Sequence, residues 1–146
     1  MGLPVRNKKG FSLIEMMIAM VFIEISMLAL LTTLTLTMQI NVENEVRNTA
    51  IRIANQTAET LMTLSMNPRD ADLTDGAHVR AVGTDQDTKG FPPVEQSIRK
   101  YRQTYNVGWT VVTKSDKVIQ VTITVGYSYK NKSLSHSSVM FRHFSI

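Results

Sequence analysis

The feature that most constrains this chain is its apolar run from Phe11 to Ile40, which follows a short basic segment and precedes Glu43 and Glu45. About 30 residues of helix span roughly 45 Å, more than the ~30 Å hydrocarbon core of a bilayer. The run therefore reads as a membrane-spanning helix. Arg6, Lys8 and Lys9 precede it, and the segment after it carries Glu43, Glu45 and Arg47. By the positive-inside rule the N-terminus stays cytoplasmic and the remainder of the chain is exported. A secretory signal peptide would have a shorter apolar region ending in small residues, and no such site lies at the far end of this one.

The chain has 146 residues, room for one small domain beside the apolar run, and it contains no cysteine, so disulfides, thiolate metal ligands and cysteine nucleophiles are excluded. Its formal charge is +4. Arg6, Lys8 and Lys9 account for three of those charges, leaving the rest of the chain close to neutral with its basic residues dispersed among acids. That pattern disfavours a nucleic-acid surface.

Two acids stand inside the apolar run, Glu15 and Glu24. A carboxylate in hydrocarbon is costly unless it is paired or protonated. Nine residues apart, at about 100° per residue, the two face opposite sides of a helix and cannot serve one partner.

A basic leader ending in Gly10, then Phe11, "SLIE" and a long apolar helix resembles the prepilin motif of type IV pilins and type II secretion pseudopilins. The resemblance implies cleavage by a prepilin peptidase between Gly10 and Phe11, and N-methylation of the new Phe11 amine. It implies that Glu15 is the family's assembly acid, engaging the cationic amine of a neighbouring subunit in a filament. Residues 1–10 would be the removed leader, with Arg6, Lys8 and Lys9 its orienting charges. Many family members have a glycine near position 24; here Glu24 is a second assembly candidate, either protonated, turned toward another subunit, or directed at an inner-membrane assembly platform. Many also have a proline near position 32 where this chain has Thr32 and Thr33, which leaves helix continuity across residues 24–35 open.

Beyond Ile40, Val42, Val46, Ala50, Ile53, Thr57, Leu61 and Leu64 recur at spacings of three and four, predicting that the helix continues in amphipathic form to about residue 66. Asn67 and Pro68 stop it. The stretch "NTAIRIANQTAETLMTLSMNP" resembles the corresponding segment of minor pilins of the PilV type and the minor pseudopilin GspI. Residues 67–100, rich in Asp, Gly, Pro and Thr, read as a long loop with one short element near Val94 to Arg99. The acids of "RDADLTDGAH" do not have the spacing of a calcium-binding loop, and no metal or other cofactor is assigned. From Tyr101 the period changes to two: Tyr105, Val107, Trp109 and Val111, then Ile119, Val121, Ile123, Val125 and Tyr127. With a third run from Leu134 to Phe144 these predict a β-meander over residues 101–146.

The expected fold is α+β, a long N-terminal helix packed on a small antiparallel sheet of three to four strands, with residues 11–40 in the membrane and 41–146 outside it. His78, His136 and His143 share no ligand spacing and no catalytic triad can be assembled, so no catalytic residue is assigned. The resemblance implies a non-enzymatic minor pilin or pseudopilin in the bacterial inner membrane and then in a pilus or pseudopilus, with other pilins, the peptidase and the assembly platform as partners. A pilus-borne ligand-binding subunit and a major pilin are the alternatives.

Overall fold

The computed structural model describes residues 10–99 and 101–143. One α-helix, α1, runs without interruption from Leu13 to Thr63, and five strands follow: β1 (Gly76–Val79), β2 (Glu95–Ile98), β3 (Tyr101–Ser115), β4 (Val118–Tyr129) and β5 (Lys132–His143). Short 3-10 turns at Ala71–Leu73 and Asp85–Asp87 shape the connection between helix and sheet. The chain divides into two compact units, Met1–Ile40 and Asn41–Ile146.

The described part of the first unit is a single exposed helix. Residues 10–40 include no buried side chain, and Phe22, Met27, Leu28 and Leu30 are each more than 60% exposed. Such a surface is stable only in an apolar medium or against other helices.

The second unit is built on a hydrophobic contact between a helix face and a sheet face. On the helix, Val46, Ala50, Ile53, Ala54, Thr57 and Leu61 are fully buried, the three-and-four spacing that the sequence predicts. On the sheet, Tyr105, Val107, Trp109 and Val111 of β3 and Ile119, Val121, Ile123 and Val125 of β4 turn inward together, since alternate residues of a strand share a face. The Tyr105 hydroxyl donates to the Val46 carbonyl at 3.1 Å, placing strand against helix by a directional bond as well as by packing. Arg142 of β5 donates through both terminal nitrogens, to the Leu61 and Leu64 carbonyls at 2.7 Å each. Carbonyls in the last turn of a helix have no partner within it, and here a strand side chain supplies one.

The α+β architecture is the expected one, but the sheet has five strands instead of three to four. Its order is β1-β3-β4-β5, with β2 also pairing β3, and all pairings are antiparallel. The additional strands come from residues 67–100, expected to be largely loop. Four residues each, they are too short to show a period, and β1 becomes a strand because Gly76–Val79 aligns with Gly108–Val111. Glu95–Ile98 of β2 falls where the short element was expected. The helix ends at Thr63 and not near 66, because the chain turns back on itself there: Met66 and Arg69 form an isolated bridge and the Asp70 N–H reaches the Ser65 carbonyl at 3.1 Å. β4 and β5 are joined through Lys130 and Asn131, both at positive φ (48° and 61°), the two-residue geometry that matches the twist of paired strands. Phe144, expected at the end of the last strand, lies outside the described residues.

Candidate functional site

The N-terminal end of α1 is organised by Ser12 and Glu15. Ser12 stands just before the helix, and its carbonyl accepts from the Glu15 and Met16 N–H groups at 3.0 and 3.2 Å. The Glu15 carboxylate reaches back to accept from the Ser12 N–H at 3.4 Å. This is half of a capping box, in which an acid three residues into a helix satisfies a backbone donor that the helix itself cannot. The S-x-x-E spacing of "SLIE" carries that signal in the sequence. Gly10 and Phe11 precede the helix, both exposed, and nothing lies within 4 Å of a side chain placed at Gly10. The peptide bond between them is in an open, non-helical segment. Arg6, Lys8 and Lys9 lie outside the described residues.

Glu24 sits in mid-helix, exposed, and among the described residues its carboxylate has no hydrogen-bond or ion-pair partner. The structure does not bring Glu15 and Glu24 together. At about 100° per residue they stand half a revolution apart around α1.

Helix continuity across residues 24–35 is resolved in favour of one unbroken helix, and the hydroxyl groups there are satisfied locally. Thr32 and Thr33 donate to the Leu28 and Ala29 carbonyls at 2.9 and 3.0 Å, and Ser26, Thr35 and Thr37 make the same four-residue back-bond. In hydrocarbon an unbonded hydroxyl costs several kcal/mol, roughly 2 to 7 depending on the reference, so this geometry lets a threonine-rich segment remain in an apolar medium. Leu13–Thr63 contains a stretch long and apolar enough to cross a membrane, by length and composition.

The acids of residues 70–87 have occupants of their own. Lys89 is held by three carboxylates, Asp70 Oδ1 at 2.9 Å, Asp72 Oδ2 at 2.8 Å and Asp85 Oδ2 at 2.9 Å. The hydrogen bonds that Lys89 donates to Asp72, Asp70 and Asp85 raise its pKa well above the usual lysine value. Burial pushes the Asp70 carboxyl up, but the Asp72 N–H and the Lys89 ammonium outweigh it and hold Asp70 below the ordinary range. The Arg80 guanidinium, almost fully buried, bonds Asp87 and the Ala81 carbonyl, and the Arg80 bond holds the Asp87 pKa down. Gln86 bridges the Asp72 carboxylate and the Ala81 N–H at 2.7 and 2.8 Å. The result is a polar clasp closed over Trp109. Phe91 and His78 stack on the indole at centroid distances of 5.1 and 5.7 Å, and the His78 Nε2 donates to the Thr74 carbonyl at 2.8 Å. His136 and His143 lie on β5, away from that stack in the sheet order. Among the described residues no group of three or more His, Asp or Glu is placed to hold a metal ion.

Compared with known proteins, residues 5–21 match the model of the prokaryotic N-terminal methylation motif. No curated protein and no solved structure matches the chain. The motif, followed by one apolar helix and a helix-on-sheet domain, supports a type IV pilin-like protein, a structural subunit in class. It implies, in general terms, processing by a prepilin peptidase and assembly into pilus filaments, and it agrees with a membrane-anchored precursor.

Proposed function

We propose that this chain is a minor pilin or minor pseudopilin, a subunit that primes or caps a type IV pilus or a type II secretion pseudopilus. The carrying observation is the methylation motif at residues 5–21, whose described part, from Gly10, is exposed and enters α1 at Leu13. In this reading the Gly10–Phe11 bond is cut on the cytoplasmic face, the leader charges Arg6, Lys8 and Lys9 are lost, and the Phe11 amine is methylated. Glu15 then stands near a new cation. Its carboxylate already faces back along the chain to the Ser12 N–H, one residue from where that amine forms. Pairing with a neighbouring subunit's amine removes the cost of an isolated carboxylate in oil and sets the register between subunits. Glu24, on the opposite side of the helix, addresses a different neighbour or the assembly platform.

The small domain without cysteine supports a minor subunit over a fibre-forming one. The intact mass of the purified protein tests the processing: it should correspond to a chain beginning at Phe11 and carrying one methyl group. A mass that includes Met1 to Gly10 overturns the reading. Abundance in sheared filaments tests the minor role, because a major subunit would dominate the gel.

A further inference from the structure

Among the described residues β5 is the outer strand on one side of the sheet, opposite the side of β1 and β2, and its backbone direction follows from bonds elsewhere in the sheet. The Arg80 N–H donates to the Val107 carbonyl at 2.9 Å and the Tyr105 N–H to the Val94 carbonyl at 2.8 Å. Odd-numbered residues of β3 thus direct their backbone groups toward the β1 and β2 side, and even-numbered ones toward β4, because successive residues of a strand alternate. Gly108 is opposite Thr124, so the even residues of β4 face β3 and its odd residues face β5. Ile123 is opposite Ser138, so the even residues of β5 bond β4. The N–H and C=O groups of Ser133, Ser135, Ser137, Val139 and Phe141 consequently point out of the sheet.

Among the described residues this edge lacks the protections of shortness, proline and bulging. It is twelve residues long, contains no proline, and its pairing with β4 runs through every position without a bulge. Side chains of the outward-bonding residues share the sheet face turned away from α1, where Val139 and Phe141 are 52% and 58% exposed. Its charge is one-sided. After Asp116 the chain contains Lys117, Lys130, Lys132 and Arg142 and no acid. Two copies pairing antiparallel through β5, with their outward-bonding residues opposed, would set Lys132 of each beside Arg142 of the other, adding a cation to a cation, so the edge disfavours its own kind.

We infer that the β5 edge of this protein accepts an extended, acidic strand from a different protein by β-strand addition. Backbone bonds to the outward groups of Ser133 to Phe141 supply the ladder, Val139 and Phe141 supply apolar contact beside it, and Lys132 selects for carboxylates near one end of the added strand. The inference is independent of the filament reading, since it rests on the sheet alone.

The test uses the full chain in detergent micelles and a capped synthetic peptide of alternating valine and glutamate, about 8 residues long to match a usual strand. Backbone amide exchange is followed residue by residue. The expected result is saturable protection of Ser135, Ser137, Val139 and Phe141, with Ser138 and Met140 protected whether or not peptide is present. Binding should weaken as salt rises from about 0.01 M to about 1 M, where the screening length falls from about 30 Å to about 3 Å. Ser137→Pro removes an outward N–H that β4 does not use, so it should leave the fold intact and reduce peptide affinity at least about tenfold, near 1.4 kcal/mol. A peptide N-methylated at alternate residues, and one with lysine for glutamate, should not bind. Four results would each overturn the inference: equal binding of acidic and basic peptides, the same protection produced by polyphosphate alone, protection that grows with protein concentration in the absence of peptide, or no effect of Ser137→Pro.

Discussion

The Trp109 indole Nε1 donates to the backbone carbonyl of Asp72 at 2.7 Å, joining the centre of β3 to a turn 37 residues earlier in the chain. The same Asp72 carboxylate receives Lys89 and Gln86. One residue therefore links the buried aromatic stack to the polar clasp above it.

Trp109→Phe keeps a ring in the stack but leaves the Asp72 carbonyl without its donor. An unpaired buried carbonyl costs about 1 to 3 kcal/mol, and the expected loss of unfolding free energy is of that size. Urea denaturation followed by circular dichroism measures it, and an unchanged midpoint would mean that solvent reaches the carbonyl.

Lys89→Met leaves three carboxylates facing one another. Residues 70–90 should then exchange amide hydrogens faster than in the parent protein, while the helix-facing core of β4 changes little. Because protonation relieves the repulsion, the deficit of the variant should shrink as pH falls toward 4, roughly the ordinary carboxyl pKa.

In the parent protein the dependence on acid runs the other way. The folded-state values of Asp70, Asp75 and Asp87 are all lowered, Asp75 chiefly by the Thr113 hydroxyl and Asp87 chiefly by Arg80. A lowered carboxyl contributes stability above its unfolded value, about 3.9, and loses that contribution as pH falls through the folded value. The clasp should hold through neutral pH and loosen below about pH 4. Trp109, the single tryptophan, reports this through its emission.

Arg142→Met removes both donors from the end of α1. The expected destabilisation is about 1 to 3 kcal/mol, the range for leaving buried acceptors unpaired, with part of it restored in Arg142→Lys, which keeps a donor but loses the fork. Thermal unfolding of the two variants side by side distinguishes lost bonding from lost bulk.

Glu15→Gln separates the two uses of that side chain. The amide oxygen can still accept from the Ser12 N–H, so membrane insertion and the start of α1 should be unchanged, whereas incorporation into filaments should fall for want of a charge. Equal recovery of variant and parent in the filament fraction would remove Glu15 from the assembly reading.

The long periodic elements were legible in the sequence. Tyr105 to Val111 and Ile119 to Val125 alternate over enough residues to declare a face, and Val46 to Leu61 repeat often enough to declare a helix side. β1 was not, since its strand character is conferred by β3 and not by its own four residues, while β2 lies where one short element near Val94 to Arg99 was expected. The aspartates near residue 70 invited a cation, and the cation is a lysine 17 and 19 positions later, a separation that no local pattern signals. Helix continuity across residues 24–35 was open because the resembled family often has a proline near position 32 where this chain has Thr32 and Thr33, and here both hydroxyls bond back inside an unbroken helix. The capping relation of Ser12 and Glu15 went unread, although the S-x-x-E spacing signals it.

The bonds from Arg142 to the end of α1 close loops of 81 and 78 residues, among the widest separations in the domain. In the proposed topology, with the N-terminus held on the cytoplasmic side and the domain exported, that closure waits until residue 142 has crossed. Under that proposal the domain would be completed only in the last steps of its export, and a subunit stalled partway would present an unfinished helix end and an unpaired β4.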